Sequence, residues 1–206
     1  MPWCNSTDYR SSLLSYSTHI VEVYLIRHTT PKVAKGICYG RTDLNLAESY
    51  REEFAQVKRL LPSSFDAVYS SPLRRCSQLA HHLSEDIQFA EELKEVNFGL
   101  WEMKEWSGIN SKELNKWMDD FVHVRPPEGE SLIDLLSRTL NFWENLASQK
   151  YQQVAICAHA GPIRCILGEV LGIPPQKLFG IGQSYGGVSM VNIKFGQPQV
   201  EYINRV

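Results

Sequence analysis

The chain has 206 residues, 43% of them hydrophobic and 21% charged, with a formal net charge of −2. That is the size and make-up of one globular domain with a real core. The near-neutral balance argues against a general nucleic-acid binder, so any anion the protein takes must be held by a local cluster of positive groups.

The five cysteines (Cys4, Cys38, Cys76, Cys157, Cys165) are odd in number and scattered through apolar surroundings, unlike a disulfide framework. Cys157, His159 and Cys165 match no common zinc spacing and read as buried thiols beside a histidine rather than as ligands. No stretch is long and apolar enough to cross a membrane. The first twenty residues lack the basic start and compact apolar core of a secretory signal. Residues 1–20, rich in Ser, Thr and Tyr, are expected to form a flexible extension before a single domain over 21–206, with a cytoplasmic location.

The first strong element is the β-branched run Val21–Ile26, short enough for a buried strand. It ends at Arg27-His28 and a polar loop. Asn45 with Glu48 predicts a capping box, followed by a helix with Leu46, Tyr50, Phe54, Val57 and Leu61 on one face. Pro62 closes it. A second strand is expected over Ala67–Ser70, and Ser71-Pro72 opens a helix with Leu73, Cys76, Ala80 and Leu83 inside. Residues 91–127 are irregular, rich in Trp and Glu, and read as an excursion over one face of the sheet, centred on about 97–130. Ser131 with Asp134 caps a helix whose stripe is Leu132, Leu135, Leu136, Leu140 and Trp143. A third strand, Val154–Ala158, ends at His159, Gly161-Pro162 starts another helix, and Val188–Ile193 is the last strand. Strands alternating with helices predict an α/β fold, a three-layer α/β/α arrangement around a mostly parallel sheet.

Ligands of open α/β sheets bind beyond the carboxyl ends of the strands. Three of the four expected strands end there in polar residues: Arg27 and His28, then Ser70 and Ser71 with Arg75 just beyond, then His159 before a helix N-terminus. Two arginines, two histidines and free amides make an anion pocket. Arginine offers a planar fork to phosphate oxygens, and a neutral histidine can attack phosphorus and split one displacement into two. The leaving oxygen needs an acid, for which Glu95 is the best-placed candidate.

These residues resemble the motifs of the histidine phosphatase (phosphoglycerate mutase-like) superfamily. Leu25-Ile26-Arg27-His28 is similar to its Arg-His signature, and Ser70–Arg75 to its second motif, which singles out Arg75 over Arg74 as the phosphate ligand. Glu95–Glu102 resembles the stretch carrying the acid, at Glu95, and Ala158–Arg164 the second histidine motif. The likeness runs from about Val21 to the C-terminus with every motif in family order. It implies a metal-independent, cofactor-free phosphatase with a phosphohistidine at His28, Glu95 and His159 as its catalytic partners, and a phosphoglycerate mutase-like fold. Arg27, Arg75, His159 and Arg41 would hold the phosphate. The segments Gly36–Leu44 and Pro126–Ser131 are most similar to the α-ribazole phosphatase branch, which implies α-ribazole 5′-phosphate as substrate. It also implies a small-molecule partner, no nucleic acid and no membrane, with monomer and homodimer left open.

Departures from the family pattern remove no charged catalytic group. Thr29 and Ala160 stand where glycines are common, Pro31 where a hydroxyl is common, Leu79 in place of a threonine and Met103 in place of a glycine. The hydroxyl of Thr29 or Thr30 is an alternative phosphate contact. His81 and His82 are expected to be solvated, and Trp101, Trp106 and Trp117 to pack the excursion. A phosphoglycerate mutase would need a basic pair in the excursion, which is missing, and a protein phosphohistidine phosphatase would be smaller. A silent binding module would be expected to have lost His28 or an arginine. No Gly-rich lysine loop or dinucleotide fingerprint follows a strand.

Overall fold

A computed structural model describes residues 20–147 and 149–206. The extension expected over 1–20 therefore lies, but for Ile20, outside the described residues. Six strands form one sheet in the order β3-β2-β4-β1-β5-β6: β1 (Ile20–Arg27), β2 (Ala67–Ser70), β3 (Gln88–Phe89), β4 (Gln153–Ala158), β5 (Val188–Lys194) and β6 (Gln197–Arg205). β1, β2, β3 and β4 pair in parallel, β5 runs antiparallel to β1, and β6 antiparallel to β5. The sheet is thus mixed, with β5 the one reversed strand.

The period-2 alternation of the two central strands builds both cores. Val21, Val23 and Leu25 of β1 and Val154, Ile156 and Ala158 of β4 face one way, into a cluster with Leu135, Phe142, Ile163 and Ile166. Those partners come from α4 (Leu132–Ala147) and α5 (Ala160–Leu171). Tyr24, Ile26, Ala155 and Cys157 face the other way, onto Phe54 and Val57 of α1 (Tyr50–Arg59) and Cys76, Leu79 and Ala80 of α2 (Arg74–Leu83). Leu25, Ile26 and Ile156 are fully buried, each contributing about 1.5–3 kcal/mol through burial. The result is three layers, with helices on both faces of the sheet.

Helix starts show where local signals were overruled. The capping box of α4 forms as the spacing predicts: Asp134 Oδ2 accepts from the Ser131 amide at 2.8 Å, and Ser131 Oγ from the Asp134 amide at 3.3 Å. The one expected at Asn45 and Glu48 does not form. Asn45 Oδ1 instead accepts from Arg74 Nη1 at 2.5 Å, and α1 begins at Tyr50 after Ser49. Ser71-Pro72 likewise precedes the helix it was expected to open, because α2 begins at Arg74. Two strands gave no signal. β3 has two exposed residues, and β6 alternates exposed with half-buried positions along a sheet edge.

Between β3 and α4 the chain makes three short 3-10 turns (Glu91–Leu93, Gly99–Trp101, Trp106–Gly108) and α3 (Ser111–Asp119). Asn110 caps α3 by accepting from the Lys112 amide at 3.0 Å. Trp101, Trp106 and Trp117 pack there with Cys38, Ile109 and Phe98. Met103, standing where a glycine is common, adopts φ 64°, a left-handed conformation that costs an L-residue about 1–2 kcal/mol.

Candidate active site

β1 and β4 are sheet neighbours, with β2 on the far side of β4, so their carboxyl ends bring Arg27-His28, His159 and Ser70-Ser71 to one edge. Backbone bonds carry the pairing past the strands. The His28 amide donates to Ala158 O at 3.0 Å, the Gly186 amide to His28 O at 3.1 Å, and the Ser71 amide to Cys157 O at 2.9 Å. His28 is clamped between β4 and the turn before β5.

His28 is 2% exposed, and His159 and Arg75 are 0% exposed. The two imidazoles meet edge to face with centroids 5.1 Å apart. His28 Nδ1 lies 2.7 Å from Thr29 O. A carbonyl only accepts, so Nδ1 carries the proton and the Nε2 lone pair is free. Burial first, then the charges of Arg75 and Arg27, hold the His28 pKa well below the ordinary imidazole range. The same causes in the same order, joined by His28 itself, depress His159. Arg75 Nε donates to His159 Nδ1 at 3.3 Å, so the His159 proton sits on Nε2, 2.8 Å from Ser71 Oγ.

Arg75 is placed by backbone carbonyls: its Nη1 donates to Thr42 O at 2.8 Å and its Nη2 to Gly40 O at 2.5 Å. Gly40 is required where it stands, because a Cβ there would overlap the carbonyl oxygen of Val96. Arg27 Nη1 donates to Gln183 O at 2.5 Å, and its Nε is buried with no partner among the described residues, as are Thr29 Oγ1 and the side-chain amide of Gln183. Of the two threonines, Thr30 Oγ1 is engaged, donating to Glu53 at 3.0 Å.

Glu95 reaches the same edge from the excursion. Its carboxylate accepts from the Gly161 amide at 3.2 Å, at the N-terminus of α5, and from the Val96 amide at 3.0 Å. A Cβ on Gly161 would overlap Glu95 Oε1, so the glycine admits the carboxylate. The neighbouring acids stand elsewhere. Glu91 pairs with Lys94, Glu92 is exposed, and Glu102 accepts from the Arg41, Thr42 and Phe98 amides.

Arg41 does not join Arg27, His28, Arg75 and His159. Its Nη2 lies 2.5 Å from Glu130 Oε1. Glu130 also binds Arg138, which in turn donates to the carbonyls of Glu92, Lys94 and Glu95 at 2.6, 2.7 and 3.0 Å. Arg138 on α4 thus holds the Glu95 segment. Cys157 and Cys165 lie in the cores on opposite sides of the sheet, and it is Cys76 Sγ that meets His159, 3.3 Å from Nε2. His81 and His82 are exposed on α2.

Beside Glu95 and Gly161 opens a cavity of about 150 Å³, lined by the aromatic Tyr39, Phe98, Trp117, Phe121 and Phe179, by the aliphatic Val96, Leu132, Leu135 and Leu178, and by Arg164. Tyr39, Tyr185, Gln183 and Arg138 were not expected at the site. Tyr39 sits inside the quoted loop 36–44, but nothing local marks the other three.

Comparison with known proteins gives the family. The family model described as histidine phosphatase superfamily (branch 1) matches residues 23–206. An Escherichia coli adenosylcobalamin/α-ribazole phosphatase is 27% identical over 192 residues, which are 87% of this chain and 95% of that protein. A Hydrogenobacter thermophilus protein provisionally named phosphoserine phosphatase 2 is 28% identical over 194 residues, 89% of this chain and 95% of its own. The crystal structure of the Shigella flexneri α-ribazole phosphatase superposes with a TM-score of 0.83 at 25% identity, covering 90% of this chain and 96% of that one. No helix of the described residues is long and apolar enough to cross a membrane. The chain therefore belongs to the histidine phosphatase superfamily, branch 1, and is a phosphatase of phosphoglycerate mutase-like fold.

Proposed function

We propose that the protein hydrolyses α-ribazole 5′-phosphate through a phosphohistidine at His28. Arg27 and Arg75 hold the phosphate oxygens while the Nε2 lone pair of His28 attacks phosphorus. The P–O bond to the leaving group breaks, and Glu95 gives that oxygen its proton. Water then attacks the phosphohistidine, Glu95 takes a proton from it, and inorganic phosphate leaves with His28 restored. His159, kept neutral first by burial and then by the arginine charges, answers the incoming dianion, which offsets those charges. It takes up a proton, and Nδ1 turns from the acceptor of Arg75 into a donor to a phosphoryl oxygen. Arg41, paired with Glu130, holds the loop whose carbonyls place Arg75. No step requires a metal, and the four buried free thiols among the described residues suit a reducing cytoplasm.

The observation that carries the substrate is the cavity beside Glu95. Its lining, apolar with five aromatic rings among four aliphatic side chains, suits a flat heteroaromatic base on the leaving group better than a sugar or a glycerate. Arg164 at its border favours one rival, a phosphoamino acid whose carboxylate would pair with the guanidinium. The test is kcat/KM in chelator for α-ribazole 5′-phosphate, phosphoserine, 3-phosphoglycerate and p-nitrophenyl phosphate, with His28→Ala as control. A preference of about a hundredfold for α-ribazole 5′-phosphate, roughly 3 kcal/mol, is expected. A higher value on phosphoserine would replace the substrate, and full turnover in His28→Ala or a need for added metal would overturn the mechanism.

A further inference from the structure

The groups that must meet a phosphate are shut away: His28 is 2% exposed, and Arg75 and His159 are fully buried. Two tyrosines from distant parts of the chain lie across them. The Tyr185 ring sits 4.0 Å from the guanidinium carbon of Arg27 and 5.6 Å from the His28 ring. The Tyr39 ring sits 5.7 Å from the guanidinium carbon of Arg75 and borders the aromatic cavity beside Glu95 and Gly161. Their hydroxyls meet at 2.6 Å, across 146 residues of sequence. This one bond joins the Arg27 side of the cradle to the Arg75 side. It lies at the border between the phosphate-binding groups and the cavity proposed for the leaving group.

The bond is built to yield. Tyr185 is 38% exposed and stands in a turn closed by the Gly187 amide on Ser184 O at 3.1 Å. Two glycines follow it, the first at φ 68°, a backbone that other residues seldom adopt; the Gly186 amide is held by His28 O at 3.1 Å, so the ring would move on its own side-chain torsions. A phosphate oxygen is also a stronger acceptor than a tyrosyl hydroxyl, because the hydrogen bond is then charge-assisted. A phosphoryl group offering two such oxygens replaces one neutral bond by two stronger ones.

We propose that Tyr39 and Tyr185 are positioning residues that clasp each other in the free protein, part to admit a phosphomonoester, and then donate to its non-bridging oxygens. Neither tyrosine makes or breaks a bond to phosphorus. The clasp excludes water from His28 until a phosphate opens it, and the opened hydroxyls aim the ester oxygen at Glu95. The proposal rests on the reading of His28 as the nucleophile.

The test uses the full chain with Tyr39→Phe, Tyr185→Phe and the double variant, each checked for an unchanged melting temperature. Three quantities are measured: the rate of diethyl pyrocarbonate modification at His28 by peptide mapping, the Kd for inorganic phosphate by calorimetry, and kcat and KM on p-nitrophenyl phosphate. Losing one neutral hydrogen bond shifts the opening equilibrium, so His28 should be modified roughly fivefold faster in either single variant. The double variant should be modified no faster than the singles, and phosphate should protect His28 in all of them. Phosphate Kd and KM should rise about tenfold, the cost of a lost charge-assisted bond, with kcat changing less. A wild-type modification rate in both single variants would overturn the proposal, and so would an unchanged phosphate Kd. If His28→Ala abolishes turnover in the same series, that failure belongs to the clasp alone; if His28→Ala turns over normally, the nucleophile reading fails.

Discussion

Two histidines buried neutral beside two arginines make a stability prediction that is independent of catalysis. His28 and His159 are almost wholly buried, and burial together with the Arg75 and Arg27 charges holds both pKa values well below 6.5. On acidification from pH 7 the unfolded chain takes up a proton on each of these histidines near pH 6.5, while the folded protein does not. Stability is therefore fully present above about pH 6.5 and falls as the pH drops toward the folded-state values. Each histidine contributes about 1.4 kcal/mol per pH unit once the unfolded form is protonated. Integrated from pH 7 to pH 5, the pair costs up to about 4 kcal/mol, a large part of the roughly 5–15 kcal/mol that holds a typical domain folded. Asp134, held down to about 2 chiefly by Arg125, acts in a lower window and does not interfere. The assay is urea unfolding at pH 7, 6 and 5 for the wild type and a His28→Gln/His159→Gln double variant. The wild type should lose far more stability on acidification than the variant. Equal losses would refute the picture of a neutral pair. On the same reasoning, the acid limb of kcat/KM should lie below pH 6.5, because free His28 is already unprotonated there.

Further outcomes follow from single contacts. Gly161→Ala places a Cβ on Glu95 Oε1 and within 2.8 Å of Leu135 Cδ2, so kcat should fall on the order of tenfold to a hundredfold by misplacing the acid; wild-type kcat in a folded Gly161→Ala would remove Glu95 from the mechanism. Arg138→Gln loses the bonds to the Glu92, Lys94 and Glu95 carbonyls and to Glu130. Urea unfolding should register a loss of roughly 1.5–3 kcal/mol, and kcat should fall more than KM rises. Met103→Gly relieves a left-handed conformation at an exposed position, so melting should move up by about 0.5–1 kcal/mol of stability. A lower melting temperature would show that the Met103 side chain contributes more than its backbone costs.

The sequence by itself determined the layered frame. Val21–Ile26 and Val154–Ala158 are dense in β-branched and apolar residues, and α4 carries both its cap and its stripe within a few residues. Such signals are local, so they survive folding unchanged. That Arg27-His28 and His159 share one edge was legible for the same reason, each lying at the end of a strand, whereas Arg75, on α2, was singled out by the family resemblance. The Asn45 cap was misread because Arg74, 29 residues on, claimed its side chain. β6 escaped notice because a half-exposed edge strand needs no strong apolar alternation.

What only the tertiary structure decided is how distant segments meet. Local spacing carries no information about Arg41 turning to Glu130, Arg138 gathering three carbonyls of the Glu95 segment, or Tyr185 folding back onto Arg27. Nor does it reveal that both histidines are sealed between two arginines and the sheet edge. That burial comes from the strand order, which sets β1 beside β4 across some 130 residues of chain. Burial and neighbouring charge, both long-range properties, are what turn two ordinary imidazoles into a neutral pair.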